Sequence, residues 1–372
     1  MAYARIAIKK LLMEKKLNNR KSKLLITFAI LLAFTSLSLS SCAQKNEKSK
    51  NNGKLNVVCT IFPEYDWAKN IIRDNLDKVN LSLVVKNGVD LHSYQPSTAD
   101  IVEITSADIF IYVGGISDNW VTDVLANSAN KNMKIINLME LLGDRVQIKE
   151  VVEGMQACEH DHGHTDSCSI ETENTKADST DFDGINFKHT YNEPVYDEHV
   201  WLSLQNAKIC CTEIAKALCE SLPDYAEDFN NNLSNYTSAL DSLDNNFKET
   251  VSSAREKTII VCDRFPFRYL VEDYNLNYYA AFAGCSAETE ASFATIAFLA
   301  KKLQETGLNA VITIDNSDNK IAETVIQNAK RPDCKILTFD SMQSTTLDDA
   351  LGGKSYIGTM TNNLKSLKTA LL

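Results

Sequence analysis

From residue 54 onward, short apolar runs alternate with amphipathic ones. The runs 54–63, 80–88, 107–115 and 133–138 are rich in Val, Ile and Leu and end in turn residues, which predicts short buried strands. Helix-spaced stretches fall between them, at about 64–75, 97–105 and 118–130. The theme returns later, with strands predicted at 257–265, 276–283, 309–316 and 334–342 and helices at about 290–306 and 318–329. Strand–helix alternation of this kind predicts an α/β fold, a mostly parallel sheet flanked by helices, in each half.

A different period occupies the middle. Tyr225, Phe229, Leu233, Tyr236, Leu240, Leu243, Phe247 and Val251 recur at spacings of three and four, which holds one helix face for some eight turns. Pro223 suits the first turn of such a helix. At 1.5 Å per residue, residues 223–254 would span roughly 45 Å, enough to join two lobes at a nearly constant angle. The division predicted is an N-terminal lobe over 54–222, a rigid linking helix over 223–254 and a C-terminal lobe over 255–372. Residues 148–196 interrupt the first lobe with an acidic, Ser/Thr-rich insertion that lacks apolar periodicity and is expected to be largely without fixed structure.

The ends change the setting. Basic residues 20–23 precede sixteen uncharged, mostly apolar residues and then Ser40-Ser41-Cys42. This is the order of a secretory signal over 1–41, too short for a membrane span. Leu39-Ser40-Ser41-Cys42 resembles the bacterial lipobox, which implies lipid on Cys42, a flexible tether over 42–53 and a position outside the cell membrane. Met13 is an alternative start.

The first 41 residues hold eight of the 38 basic and one of the 49 acidic residues, so the remainder carries a formal charge of −18. Such a body disfavours nucleic acid and suits a cation ligand. The ten cysteines have no CxxC spacing and do not describe a disulfide scaffold, although a pair such as Cys158 and Cys168 is conceivable.

Six histidines are present; four lie in the insertion, and three of these, His160, His162 and His164, cluster within residues 157–168. Two others have distinctive settings. His92 follows a predicted strand and precedes a helix that Pro96 and Ser97 would start. His199 lies just before the next helix. Loops beyond strand carboxyl ends face the crevice where α/β proteins bind ligands. Either histidine alone could be a hydrogen-bonded structural residue; the two together point to a metal site.

The stretches VVCTIFPEYDWAKNI, GVDLHSYQPSTADI, DEHVWLSLQNA and SYIGTMTNNLKSLKTALL resemble the zinc/manganese substrate-binding lipoproteins of ABC-type metal importers, in order and over residues 55–372. Gly88, Asp90, His92, Tyr94 and Pro96 match one motif of that family; His199, Trp201 and Leu202 match another. The resemblance implies a cleft between two lobes joined by a long helix, with no reaction catalysed. It also implies a membrane permease as partner, a cytoplasmic ATPase behind it, and a monomer. From the second lobe it implies two further ligands. Asp340 fits the later one. At the earlier one this chain has Arg264, which cannot bind a metal, leaving Asp263, with Cys262 as the alternative.

Two imidazoles with carboxylates suit Zn(II) and also accept Mn(II) or Fe(II). The insertion histidines resemble the collecting loop of zinc carriers. A zinc hydrolase would need a general base and an HExxH-like signature, which is absent. A surface adhesin with a structural metal is the alternative from another class.

Overall fold

The computed structural model describes residues 53–128, 130–156, 195–284 and 290–372. Cys42, His160, His162, His164, Cys158 and Cys168 lie outside the described residues, as do the signal segment and most of the tether.

The first lobe is built on β1 (Leu55–Cys59), β2 (Val79–Leu83), β3 (Ile109–Tyr112) and β4 (Lys134–Asn137), all parallel in the order β2-β1-β3-β4. Parallel neighbours need crossovers, and α1 (Phe62–Ile72), α2 (Thr98–Thr105) and α3 (Trp120–Ala126) supply them, followed by the short α4 (Leu138–Leu142). The second lobe repeats the plan. Strands β5 (Thr258–Phe265), β6 (Asn277–Ala283), β7 (Ala310–Ile314) and β8 (Lys335–Phe339) lie parallel in the order β6-β5-β7-β8. Its helices are α7 (Arg268–Tyr274), α8 (Phe293–Thr306), α9 (Lys320–Asn328), α10 (Leu347–Leu351) and α11 (Tyr356–Leu371). Central strands are buried on both faces, which is why they read as continuous apolar runs.

Between the lobes come α5 (Leu204–Ser221) and the long α6 (Ala226–Ser253). Helix α6 is continuous over 28 residues, about 42 Å. Pro223 sits in a 3₁₀ turn just before it rather than in its first α-turn. The apolar stripe read from the sequence is the buried face: Phe229, Tyr236, Leu240, Leu243, Phe247 and Val251 are all buried. That face packs on α5, α1 and α11, so the helix touches both lobes along its length. One apolar core accordingly runs through the two lobes.

Polar ties reinforce this. Asp66 of α1 accepts from the Tyr356 N–H (2.9 Å) and the Tyr236 hydroxyl (3.4 Å), joining α1, α11 and α6 at one buried carboxylate. Tyr356 donates its hydroxyl to the Trp201 carbonyl (2.6 Å), and Trp201 donates its indole N–H to the Ser341 carbonyl (2.9 Å).

The ends of the insertion are ordered, contrary to the expectation for 148–196. Ile148 and Tyr196 form an antiparallel bridge, and Lys149 N–H donates to the Val195 carbonyl at 2.8 Å. Further on, Gln156 pairs with the second lobe's edge strand β6, donating to the Ala281 carbonyl at 2.9 Å. Residues 148–156 and 195–196 are held because their backbone groups find partners, which periodicity cannot reveal.

Candidate metal centre

Both sheets turn their carboxyl ends toward the same cleft, and the site is built from the residues just beyond those ends. After β2 the chain turns at Gly88 (φ +72°), where a Cβ would come within 3.2 Å of the Ser344 carbonyl oxygen of the other lobe. Asp90 then accepts from the His92 N–H (3.0 Å), which starts a single 3₁₀ turn and aims the imidazole. Ser97 caps α2 reciprocally with Asp100 and ends the motif.

His199 is fully buried and lies beside the 3₁₀ turn Val200–Leu202. Asp197 accepts from both its N–H (2.9 Å) and its Nδ1 (2.8 Å). The Tyr269 hydroxyl donates to the Asp197 carbonyl (2.6 Å) and steadies that turn. On the other side, His92 Nδ1 lies 2.5 Å from Ser117 Oγ and 3.2 Å from Glu198 Oε2. Ser117 donates its hydroxyl (2.5 Å) and its N–H (2.9 Å) to Glu198. Burial pushes Glu198 up, but the hydrogen bonds from His92 and Ser117 outweigh it and hold the carboxyl down at about 2, so it is ionised.

Gly115 (φ +83°) makes room for this carboxylate, since a Cβ there would fall 2.5 Å from Glu198 Oε1.

These contacts place the proton of each ring. The hydroxyl proton of Ser117 goes to Glu198, so its oxygen accepts from His92 Nδ1–H; His199 Nδ1–H goes to Asp197. In a neutral ring this tautomer leaves Nε2 as an acceptor, and the two Nε2 atoms face each other at 3.3 Å. A tetrahedral zinc with Zn–N of about 2.0–2.1 Å holds two nitrogens about 3.3–3.4 Å apart. The pair therefore already has the spacing of one tetrahedral edge, and each ring carries the carboxylate or carboxylate-linked partner typical of metal-ligating histidines.

In the structure the second-lobe carboxylates implied by the resemblance have other partners. Among the described residues, no three His, Cys, Asp or Glu side chains come together as a metal cluster. Asp340 Oδ2 pairs with Lys354 Nζ (2.7 Å), and its Oδ1 accepts from the Met342 N–H (2.8 Å). Both partners are local, a nearby cation and a strand-end turn.

The pairing of β5 with β6 shifts register between Val261 and Arg264, at Cys262 and Asp263. Asp263 accepts from the Ser317 hydroxyl (2.5 Å) and the Arg264 N–H (2.8 Å). Cys262 is buried, and burial pushes its thiol up, which keeps it a poor source of thiolate. All three of Cys262, Asp263 and Arg264 line an interlobe cleft of about 470 Å³. Arg264 donates to Asp90 (3.2 Å), the carboxylate that orients His92.

The group that does reach the histidines is Gln343. Its amide nitrogen lies 2.7 Å from His199 Nε2 and 3.3 Å from His92 Nε2. Neither Gln343 nor Ser117 stands out in the sequence, since glutamine is an uncommon metal ligand and a lone serine carries no signal. The two acids before His199, Asp197 and Glu198, were the visible clue.

A family profile described as ZnuA, zinc-uptake complex component A periplasmic, matches residues 57–370. The zinc-binding lipoprotein AdcA of Streptococcus pneumoniae (strain ATCC BAA-255 / R6) is 28% identical over 341 residues, covering 91% of this chain and 60% of the relative. The high-affinity zinc uptake system protein ZnuA of Bacillus subtilis (strain 168) is 26% identical over 339 residues, covering 90% of this chain and 94% of the relative. The chain thus spans about 60% of the length of the streptococcal relatives it matches. Among solved structures, the Zn(II)-bound ZnuA-like domain of Streptococcus pneumoniae AdcA superposes with a TM-score of 0.61 at 25% identity, over 86% of this chain and 99% of that one.

Proposed function

The chain belongs to the family of ZnuA, the periplasmic zinc-uptake complex component A, and on that premise we propose that it captures Zn(II) in the interlobe cleft and delivers it to an ABC-type importer. The observation that carries this reading is the pair of Nε2 atoms 3.3 Å apart, on rings whose Nδ1 atoms already have partners. His92 and His199 are the ligands from the first lobe. Neutral imidazoles suit Zn(II) ahead of the harder Mn(II), and the relatives described above are named for zinc. The nearby ionised Glu198 offsets part of the cation's charge without touching it.

The partner is a membrane permease, with its ATPase on the cytoplasmic side. The chain works outside the cytoplasm and is tethered by lipid on Cys42. The ion is cargo, bound and released unchanged, so no chemical step is assigned to any residue. His160, His162 and His164 act as a weaker, faster collecting set beside the main site.

The test is zinc affinity by competition with a chelator of known strength. His92→Ala and His199→Ala should each weaken binding by about a hundredfold or more, beyond the 10–100-fold typical of losing an outer partner. Wild-type affinity in both variants would sink the assignment.

A further inference from the structure

Gln343 brings its amide to the corner that a third donor would take beside the two imidazoles. Its two ring partners leave little freedom: the amide nitrogen, His92 Nε2 and His199 Nε2 form a triangle with edges of 3.3, 3.3 and 2.7 Å. With each Nδ1 already partnered, a neutral ring presents Nε2 as an acceptor, and an amide NH₂ has two N–H donors to give the pair. Its side chain is buried, and the turn that carries it is pinned. Asp315, at the end of β7, accepts from Ser341 N–H (2.8 Å), Ser341 Oγ (2.8 Å) and Ser344 Oγ (2.7 Å). Trp201, two residues after His199, holds the same turn through the Ser341 carbonyl. Met342 adopts φ +64°, so the turn is an uncommon conformation kept by its surroundings.

We infer that Gln343 is a two-way amide that serves both states of the site: its NH₂ bridges the two histidines when no metal is bound, and its Oε1 becomes the second lobe's donor when Zn(II) enters. The proposal rests on the reading that His92 and His199 hold the ion. Rotation by half a turn about Cγ–Cδ exchanges the two ends of the amide with little change of shape, and that torsion is broadly two-fold in glutamine. The oxygen then lies near the present position of the nitrogen. The donors N, N and O form a triangle whose edges approximate one face of the tetrahedron zinc prefers, and the fourth position is left for water.

A carboxylate in the same place could not play the first part, because when ionised it has no proton to donate to the free lone pairs. The neutral amide therefore ties the two lobes together across an empty site. It also leaves the metal with less opposing charge, which favours release to a transporter over the tightest retention.

The experiment compares zinc affinity of the whole mature chain in four forms: wild type, Gln343→Leu, Gln343→Glu and His92→Ala. Side-chain amide NMR of Gln343 is followed in parallel, its signals identified by their absence in Gln343→Leu. Gln343→Leu should weaken zinc by about 10–100-fold and Gln343→Glu should tighten it by about tenfold or more, the changes expected for losing a donor and for gaining an anionic one. The Gln343 NH₂ signals should be shielded from exchange without metal and should shift when zinc is added. Loss of affinity in His92→Ala without loss in Gln343→Leu overturns this proposal alone. Amide signals that do not move on zinc addition overturn it as well. Wild-type affinity in His92→Ala overturns the reading of the site, and this proposal with it.

Discussion

Glu198 takes the Ser117 N–H and hydroxyl on its two oxygens and stands 3.2 Å from His92 Nδ1. It never needs to touch the metal to matter. Its negative charge favours the Nδ1–H tautomer of His92, which is the one that leaves Nε2 free. Glu198→Gln keeps the shape and removes the charge, and it can offer an N–H where an acceptor is needed. It should weaken zinc by about 10–100-fold while leaving the fold intact, measured by chelator competition with circular dichroism as the control. Unchanged affinity would mean that Ser117 alone orients the ring. Arg264 acts at one remove more, since it pairs with Asp90 and Asp90 fixes the backbone of His92. An arginine where the resemblance implies a ligand is therefore not a bare cation opposing the metal.

At the scale of elements, α6 and α5 decide how steadily the histidines are presented. Ser203 caps α5 by accepting from the Asn206 N–H (3.1 Å) and donates its own hydroxyl to Asp273 at the end of α7 (2.6 Å). Asp273 is pushed up to about 6, first by burial and then by the neighbouring Asp244 of α6. A carboxyl raised in the folded state favours folding while it is protonated. That contribution is complete below about pH 4 and is lost as pH rises through about 6. Ionising Asp273 thus costs about 3 kcal/mol of stability at neutral pH. Asp273→Asn can still accept from Ser203 and carries no charge. Relative to wild type, it should gain thermal stability at pH 7.5 and gain little at pH 4.5. An equal effect at both values would contradict the assignment.

For the whole molecule, two parallel sheets share one core and one long helix, and the polar ties through Asp66, Trp201 and Tyr356 cross between lobes. The contacts described around His92 and His199 all come from residues just beyond the two sets of strand ends. A variant lacking 157–168 should keep one tight zinc per chain and lose additional weaker binding, as read by equilibrium dialysis with metal analysis. Loss of the tight site in that variant would move the primary site into the insertion.

Much of this architecture was legible in the residues alone. The strands read as apolar runs because both faces of each sheet are covered. The stripe from Phe229 to Val251 survives as the buried face of α6 because a helix repeats every 3.6 residues whatever it packs against. His92 and His199 could be singled out because each follows a boundary that local turn and cap chemistry marks. What decided the second half of the site was contact between segments far apart in the chain. Asp340 fits a ligand by position, and its carboxylate pairs with Lys354, fourteen residues on. Gln343 looked like nothing, yet the Asp315 turn and Trp201 carry it to the histidines. Spacing along a chain encodes the period of an element and the chemistry of its ends. Which side chain fills a gap between two lobes depends on how the lobes pack, and only the tertiary structure holds that information.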